Sequence, residues 1–265
     1  MNIIDFHTHA FPDSIAARAI AALEAEGPCK AVTDGTINGL LRSMDKAGIC
    51  TSVIASIATK PAQFEPILAW SKKIRSDRII PFASIHPDDP DATEHIRITA
   101  QEGIQGIKLH PYYQQFVFND TRMFTIYESI ISQNLILLCH TGFDLAFPRD
   151  RICDPEKIMD VLERFPALNL VTSHLGAWED WDEVERLMLG KPIYMEISYS
   201  KGFIPDNRIA EILNGHPIDY ILFGTDSPWM DQSEAARFVD QLMLDTERKT
   251  ALLYRNARRL LGMTP

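Results

Sequence analysis

Eight short runs of β-branched and other apolar residues recur along the 265-residue chain, and a longer stretch with helical spacing follows each. The runs at 2–7, 51–57, 79–85, 106–110, 135–140, 168–174, 193–197 and 220–223 read as strands. The stretches at 13–26, 64–75, 91–102, 121–133, 155–165, 178–189, 207–214 and 233–244 read as helices. Strand and helix in strict alternation make successive strands parallel, joined by right-handed crossovers. Eight such units close on themselves, so the expected fold is an α/β (β/α)8 TIM barrel. The competitor, an open doubly wound sheet, needs a glycine-rich phosphate loop after the first strand. That place holds His7-Thr8-His9 instead. No linker or low-complexity segment divides the chain, and one domain over 1–265 is expected. Asp13 and Ser14 are expected to cap the first helix, and Asp154 followed by Pro155 a later one. Phe165-Pro166 ends that later helix.

A hydrophobic content of 46% supports a large core, and 23% charged residues is an ordinary globular share. The formal net charge is −10, with no Lys/Arg-rich run, which argues against a nucleic-acid surface. It leaves room for an anionic small molecule, because a pocket can oppose the global sign. The four cysteines form no Cys-x-x-Cys pair and read as reduced thiols. No leader pattern precedes Ile3 and no apolar run approaches ~18 residues, so a cytoplasmic chain without membrane contact is expected.

In a barrel of this kind chemistry collects at the C-terminal ends of the strands. The first strand, in "IIDFHTHAFP", ends with His7 and His9, two positions apart and pointing the same way. His86 follows the third strand, Lys108 and His110 the fourth, His140 the fifth, His174 the sixth and Asp226 the eighth. Six of the eight histidines thus fall at one rim. Neutral imidazole and carboxylate are the ligands of zinc, manganese and iron(II). A lone histidine at a strand end is more often a hydrogen-bonded structural residue, but this convergence points to a metal. His95 and His216 fall elsewhere and carry no assignment.

The order His-x-His, His, His, Asp on eight strands resembles the amidohydrolase superfamily. "IIDFHTHAFP", "HLG" after the sixth strand, "FGTDSPW" and the tail "LLYRNARRLLG" resemble, more narrowly, the amidohydrolase-2 family, from Ile3 to Gly262. That family includes lactone hydrolases and decarboxylases of aromatic or semialdehyde acids. The resemblance implies His7, His9, His140 and Asp226 as metal ligands, with zinc as the first expectation and manganese or iron(II) as alternatives. It also favours one ion over two, which leaves His174 free to polarise a carbonyl or carry a proton. In binuclear relatives a lysine at the end of the fourth strand is carboxylated and bridges two metals. The setting "GIKLHPYYQQF" implies instead that Lys108 stays an amine and, with His110, contacts substrate.

Asp5 lies on the face of His7 and His9, either orienting a ligand or sitting satisfied on the barrel floor, and Thr8 is expected to pack outward. His86 is expected to fix a turn at the rim. Tyr112, Tyr113, Phe143, Trp178 and Trp229 follow strand ends and are candidates for a pocket wall. The expected chemistry is hydrolysis of a small lactone, ester or amide bearing a carboxylate, with Asp226 moving the proton. The alternative is metal-dependent decarboxylation by the same ligands, and a third reading is a metal-binding protein without catalysis. The segment "EDWDEVERLMLG" has exposed apolar spacing compatible with a homodimer.

Overall fold

The computed structural model describes residues 2–263 and has the expected barrel. Its parallel strands are β1 (Ile3–Thr8), β2 (Ile49–Ala55), β3 (Ile79–Phe82), β4 (Gly106–Leu109), β5 (Ile136–Cys139), β6 (Asn169–Thr172), β7 (Tyr194–Glu196) and β8 (Ile221–Leu222). Continuous ladders run through β1–β3 and β4–β8. The two seams are closed by single bridges. Ala83 pairs with Ile107, its N–H donating to Gly106 O at 3.0 Å and its carbonyl accepting from Lys108 N at 2.8 Å. On the other side Thr8 pairs with Ser227, and Phe6 N donates to Phe223 O at 2.8 Å. Ile4, Phe6, Val53, Phe82, Leu138 and Leu222 are fully buried in one cluster of the core, so the cylinder is packed and leaves no pore.

The helices are α1 (Asp13–Glu26), α2 (Ile37–Ala47), α3 (Phe64–Ile74), α4 (Ala92–Gln101), α5 (Pro111–Gln114), α6 (Phe124–Ser132), α7 (Pro155–Arg164), α8 (Trp181–Leu187), α9 (Asp206–Gly215), α10 (Gln232–Gln241), α11 (Thr246–Thr250) and α12 (Asn256–Leu260). A π-helical turn, Ala251–Arg255, joins the last two. Asp154 caps α7 as expected, accepting from Lys157 N with Pro155 in the first turn. The cap expected from Asp13 or Ser14 does not form. Pro12 occupies the cap position of α1, and no side chain bonds to its free N–H groups.

The larger departure is α2, which the periodicity reading passes over. Asn38-Gly39 reads as a turn signal, yet Thr36 caps a helix there by accepting from Gly39 N. α2 packs on β2 and α10, so it is the crossover to the second strand. α1 is an extra element: only Ala16 of its fourteen residues is buried. The strands also stop short of His110, His140 and His174, and α8 starts three residues later than position 178. His174, Leu175 and Glu179 have positive φ, and that irregular backbone fills the interval. No described helix is long and apolar enough to cross a membrane.

Candidate metal centre

β1 carries His7 into the mouth of the barrel, and β7 fixes its ring. His7 Nδ1 lies 2.8 Å from Glu196 Oε1, both side chains buried. Glu196 also accepts from His174 N (3.0 Å), Ser198 N (2.6 Å) and Ser198 Oγ (2.8 Å). Burial pushes the Glu196 carboxyl up, and these bonds to its charged form oppose the rise. An acceptor in this position assigns the proton of His7 to Nδ1 and leaves Nε2 with a free lone pair. Gly224 makes room for the contact, since a Cβ there would run into the Glu196 carboxylate.

His7 Nε2 faces Asp226 Oδ1 at 3.4 Å, and His9 Nε2 faces the same oxygen at 3.0 Å. Asp226 has φ 60°, and its N–H donates to His7 O at 2.7 Å, which locks the end of β1 to the end of β8. Burial raises the Asp226 carboxyl, but His7 and His9 outweigh it and hold the group well below the usual carboxylate range. Lys108, on β4 and fully buried, brings Nζ to 3.1 Å from His7 Nε2. Burial lowers its pKa, with Asp226 opposing.

His140 and His174 meet beside this group, His140 Nδ1 lying 3.1 Å from His174 Nε2. His140 Nε2 lies 2.9 Å from Phe143 O, and His110 stacks on the ring with centroids 4.2 Å apart. Asp144 Oδ2 faces His110 Nε2 at 3.4 Å and His140 Nε2 at 3.7 Å. Burial brings His140 down to about 3, the charge of His110 adding to it, and brings His174 down to about 4 with His140 adding. Burial also lowers His7 and His110. These imidazoles are therefore neutral near pH 7 and keep lone pairs to offer.

Among the described residues, three groups of side chains have mutual spacing suited to a cation: His7–His9–Asp226, His7–His174–Glu196 and His110–His140–Asp144, each with its ligand atoms within 4.8 Å of one another. The first fits best. In the second, Nδ1 of His7 carries a proton directed at Glu196, and a protonated nitrogen is no ligand. In the first, two imidazole nitrogens and an ionised oxygen converge, the donor set of zinc and of related divalent metals. His140 is not within that 4.8 Å spacing and stands across the same mouth, against His174.

The other expected residues divide. Asp5 accepts from Thr225 Oγ1 (2.6 Å), Thr225 N (3.0 Å) and Gln232 Nε2 (2.7 Å), so it ties β1 to the β8 loop and touches no ligand ring. Burial pushes it up to about 7 against those bonds. Thr8 Oγ1 donates to Val53 O. His86 accepts from Asp88 N and fixes a turn, as expected. Tyr113, Phe143, Trp178 and Trp229 line a cavity of about 670 Å³ over the site, whereas Tyr112 turns away and donates to Asp150 O. Lys108, His110 and the ligand candidates open into that cavity. The sequence reading missed Glu196, Ser198 and Asp144. Glu196 had a signal: an acidic residue inside the buried run Met195–Ile197 needs a partner. Asp144, on an irregular loop, had none.

The family model described as amidohydrolase matches residues 4–263. No curated protein sequence matches the chain. Among solved structures, a TIM-barrel protein from Bordetella bronchiseptica superposes with a TM-score of 0.79 at 21% identity, covering 99% of both chains. A 2,6-dihydroxybenzoate decarboxylase from Rhizobium gives 0.71 at 14% identity over 99% of both. A probable 2-pyrone-4,6-dicarboxylic acid hydrolase from Acinetobacter baumannii, solved with citric acid bound, gives 0.71 at 17% identity over 99% of this chain and 100% of that one. At such identities the likeness is one of fold.

Proposed function

Since the chain belongs to the amidohydrolase family, a metal-dependent family, we propose that it is a hydrolase of a small-molecule carbonyl substrate, a lactone, ester or amide. The observation that carries this reading is the convergence of His7 Nε2 and His9 Nε2 on Asp226 Oδ1 at the floor of a largely apolar cavity. His7, His9 and Asp226 would hold one divalent ion, zinc before manganese or iron(II), and His140 would serve as the fourth donor only by moving in from across the mouth, where it now stands against His174. When bound, such an ion supplies Lewis acidity and lowers the pKa of water towards ~7.

The chain's own groups do the rest. Asp226 is held ionised by its two histidines, so it accepts a proton from the attacking water and returns it to the leaving group. His174 faces the cavity with its Nδ1 3.2 Å from Ser198 O, so Nε2 keeps a lone pair and carries a proton to or from the substrate. Lys108 and His110 orient the substrate, and Lys108 holds its anionic end. The largely apolar walls lower the local dielectric, which strengthens each of these interactions.

Decarboxylation of an aromatic acid by the same groups is the second reading, favoured by the aromatic walls and the buried amine of Lys108. A lactone panel run beside a panel of aromatic acids with CO2 detection separates the two. Hydrolysis that is lost on chelation and restored by zinc, with the circular dichroism unchanged, is the expected result. CO2 release without ring opening replaces it with the second reading. Metal binding without turnover on either panel counts against both.

A further inference from the structure

The outer half of the cavity has a chemistry unlike its floor. Ile15, Ala19 and Leu23 lie four residues apart along α1, so they form one stripe on one face. That stripe lines the cavity, and α1 buries only Ala16. Ile67 and Trp70 of α3, three apart, line the cavity as well. An extra helix inserted after β1 therefore presents its apolar face to a ligand space.

Charge is distributed just as unevenly. Lys108 is the only lysine or arginine among the described residues lining the cavity, and it sits at the floor against His7. The other charged side chains there, Glu26, Asp144 and Asp226, are acidic. Glu26 accepts from Tyr113 OH at 3.3 Å. One carboxylate can meet Lys108. A second, carried on the far end of a ligand, would sit between α1 and α3 against half-buried apolar side chains and acidic Glu26, with no lining cation to pair it, and partial desolvation of an unpaired charge is costly.

We propose that the cavity selects an amphipathic substrate: one polar carbonyl head at the barrel mouth, an aryl or alkyl tail against α1 and α3, and no more than one negative charge. This rests on the cavity being the substrate site of the proposed hydrolase, and it narrows the substrate class. The volume of about 670 Å³ suits a molecule larger than a bare lactone ring.

Trp70, Trp178 and Trp229 line the cavity, so binding reads out in intrinsic fluorescence without turnover. The zinc-loaded full chain is titrated with propanoate, nonanoate and nonanedioate, which vary tail length and then add one charge. Nonanoate is expected to bind at least about tenfold more tightly than either of the others. Leu23→Arg and Ile67→Arg, checked for fold by circular dichroism, are expected to weaken nonanoate and tighten nonanedioate. Nonanedioate binding as tightly as nonanoate in the unsubstituted protein, or affinity indifferent to chain length, overturns the proposal. Turnover on the lactone panel is scored apart from this. A chain that prefers nonanoate but opens no lactone keeps the tail pocket and loses the hydrolase reading; the opposite pair of results does the reverse.

Discussion

His7 Nδ1 lies 2.8 Å from Glu196 Oε1, a contact between the first strand and the seventh across 189 residues of sequence. It decides which nitrogen of His7 faces His9 and Asp226. A histidine free to exchange tautomers would present a proton to the cation part of the time. The buried carboxylate removes that state and orients the ring.

Glu196→Gln therefore acts on metal binding while every proposed ligand stays in place. The amide offers its NH2 group as readily as its oxygen, so the tautomer is no longer imposed. Zinc affinity is expected to fall by about 10–100-fold. Titration of the metal-free variant against a competing chelator measures it; unchanged affinity removes Glu196 from the site.

Asp226→Asn keeps an oxygen near His9 but cannot take a proton at neutral pH. Most of the metal should stay bound while turnover drops by at least about a hundredfold. His7→Ala should do the opposite first, lowering metal content by elemental analysis. Full stoichiometric metal in that variant counts against the β1 site.

His216 is buried beneath the start of β7, with Nε2 2.8 Å from Ile193 O and no partner at Nδ1 among the described residues. Burial lowers its pKa below the ordinary 6.5. As pH falls through 6.5 the unfolded chain takes up a proton that the native ring refuses, so stability is lost on the acid side. His216→Gln keeps an N–H donor for Ile193 O and removes the titration. Its thermal midpoint should depend less on pH between 7 and 5 than that of the unsubstituted protein. Equal slopes would mean the ring titrates alike in both states.

Gly142 has φ +86°, and its N–H donates to Cys153 O at 2.9 Å. A Cβ there would run into the backbone of Ala177 and Trp178, which carries the cavity wall. Gly142→Ala should cost at least about 2 kcal/mol. At this chain length that lowers Tm by at least about 4 °C. A scanning-calorimetry midpoint within error of the unsubstituted protein would show that the loop relaxes.

The sequence by itself determined the barrel and the pieces that carry strong local signals. Strand–helix alternation fixes parallel pairing, and all eight strands lie within a few residues of the apolar runs. His7, His9 and Asp226 were legible because a His-x-His on a β-strand projects both rings to one side and because strand ends of a barrel share a rim. α2 was not legible, since Asn38-Gly39 imitates a turn and its helical status depends on the Thr36 cap and on packing against β2 and α10. Nor was the position of α1: its apolar stripe fits a core-facing helix equally well, and only the closed structure turns it to a cavity. The pairing of Glu196 with His7, the stacking of His110 on His140 and the approach of Lys108 to His7 were decided by tertiary structure alone. Periodicity specifies which way a side chain points along its own element. Which partner it meets there depends on register, on the tilt of neighbouring strands and on loop backbone at positive φ, and those are set by the packing of the whole cylinder.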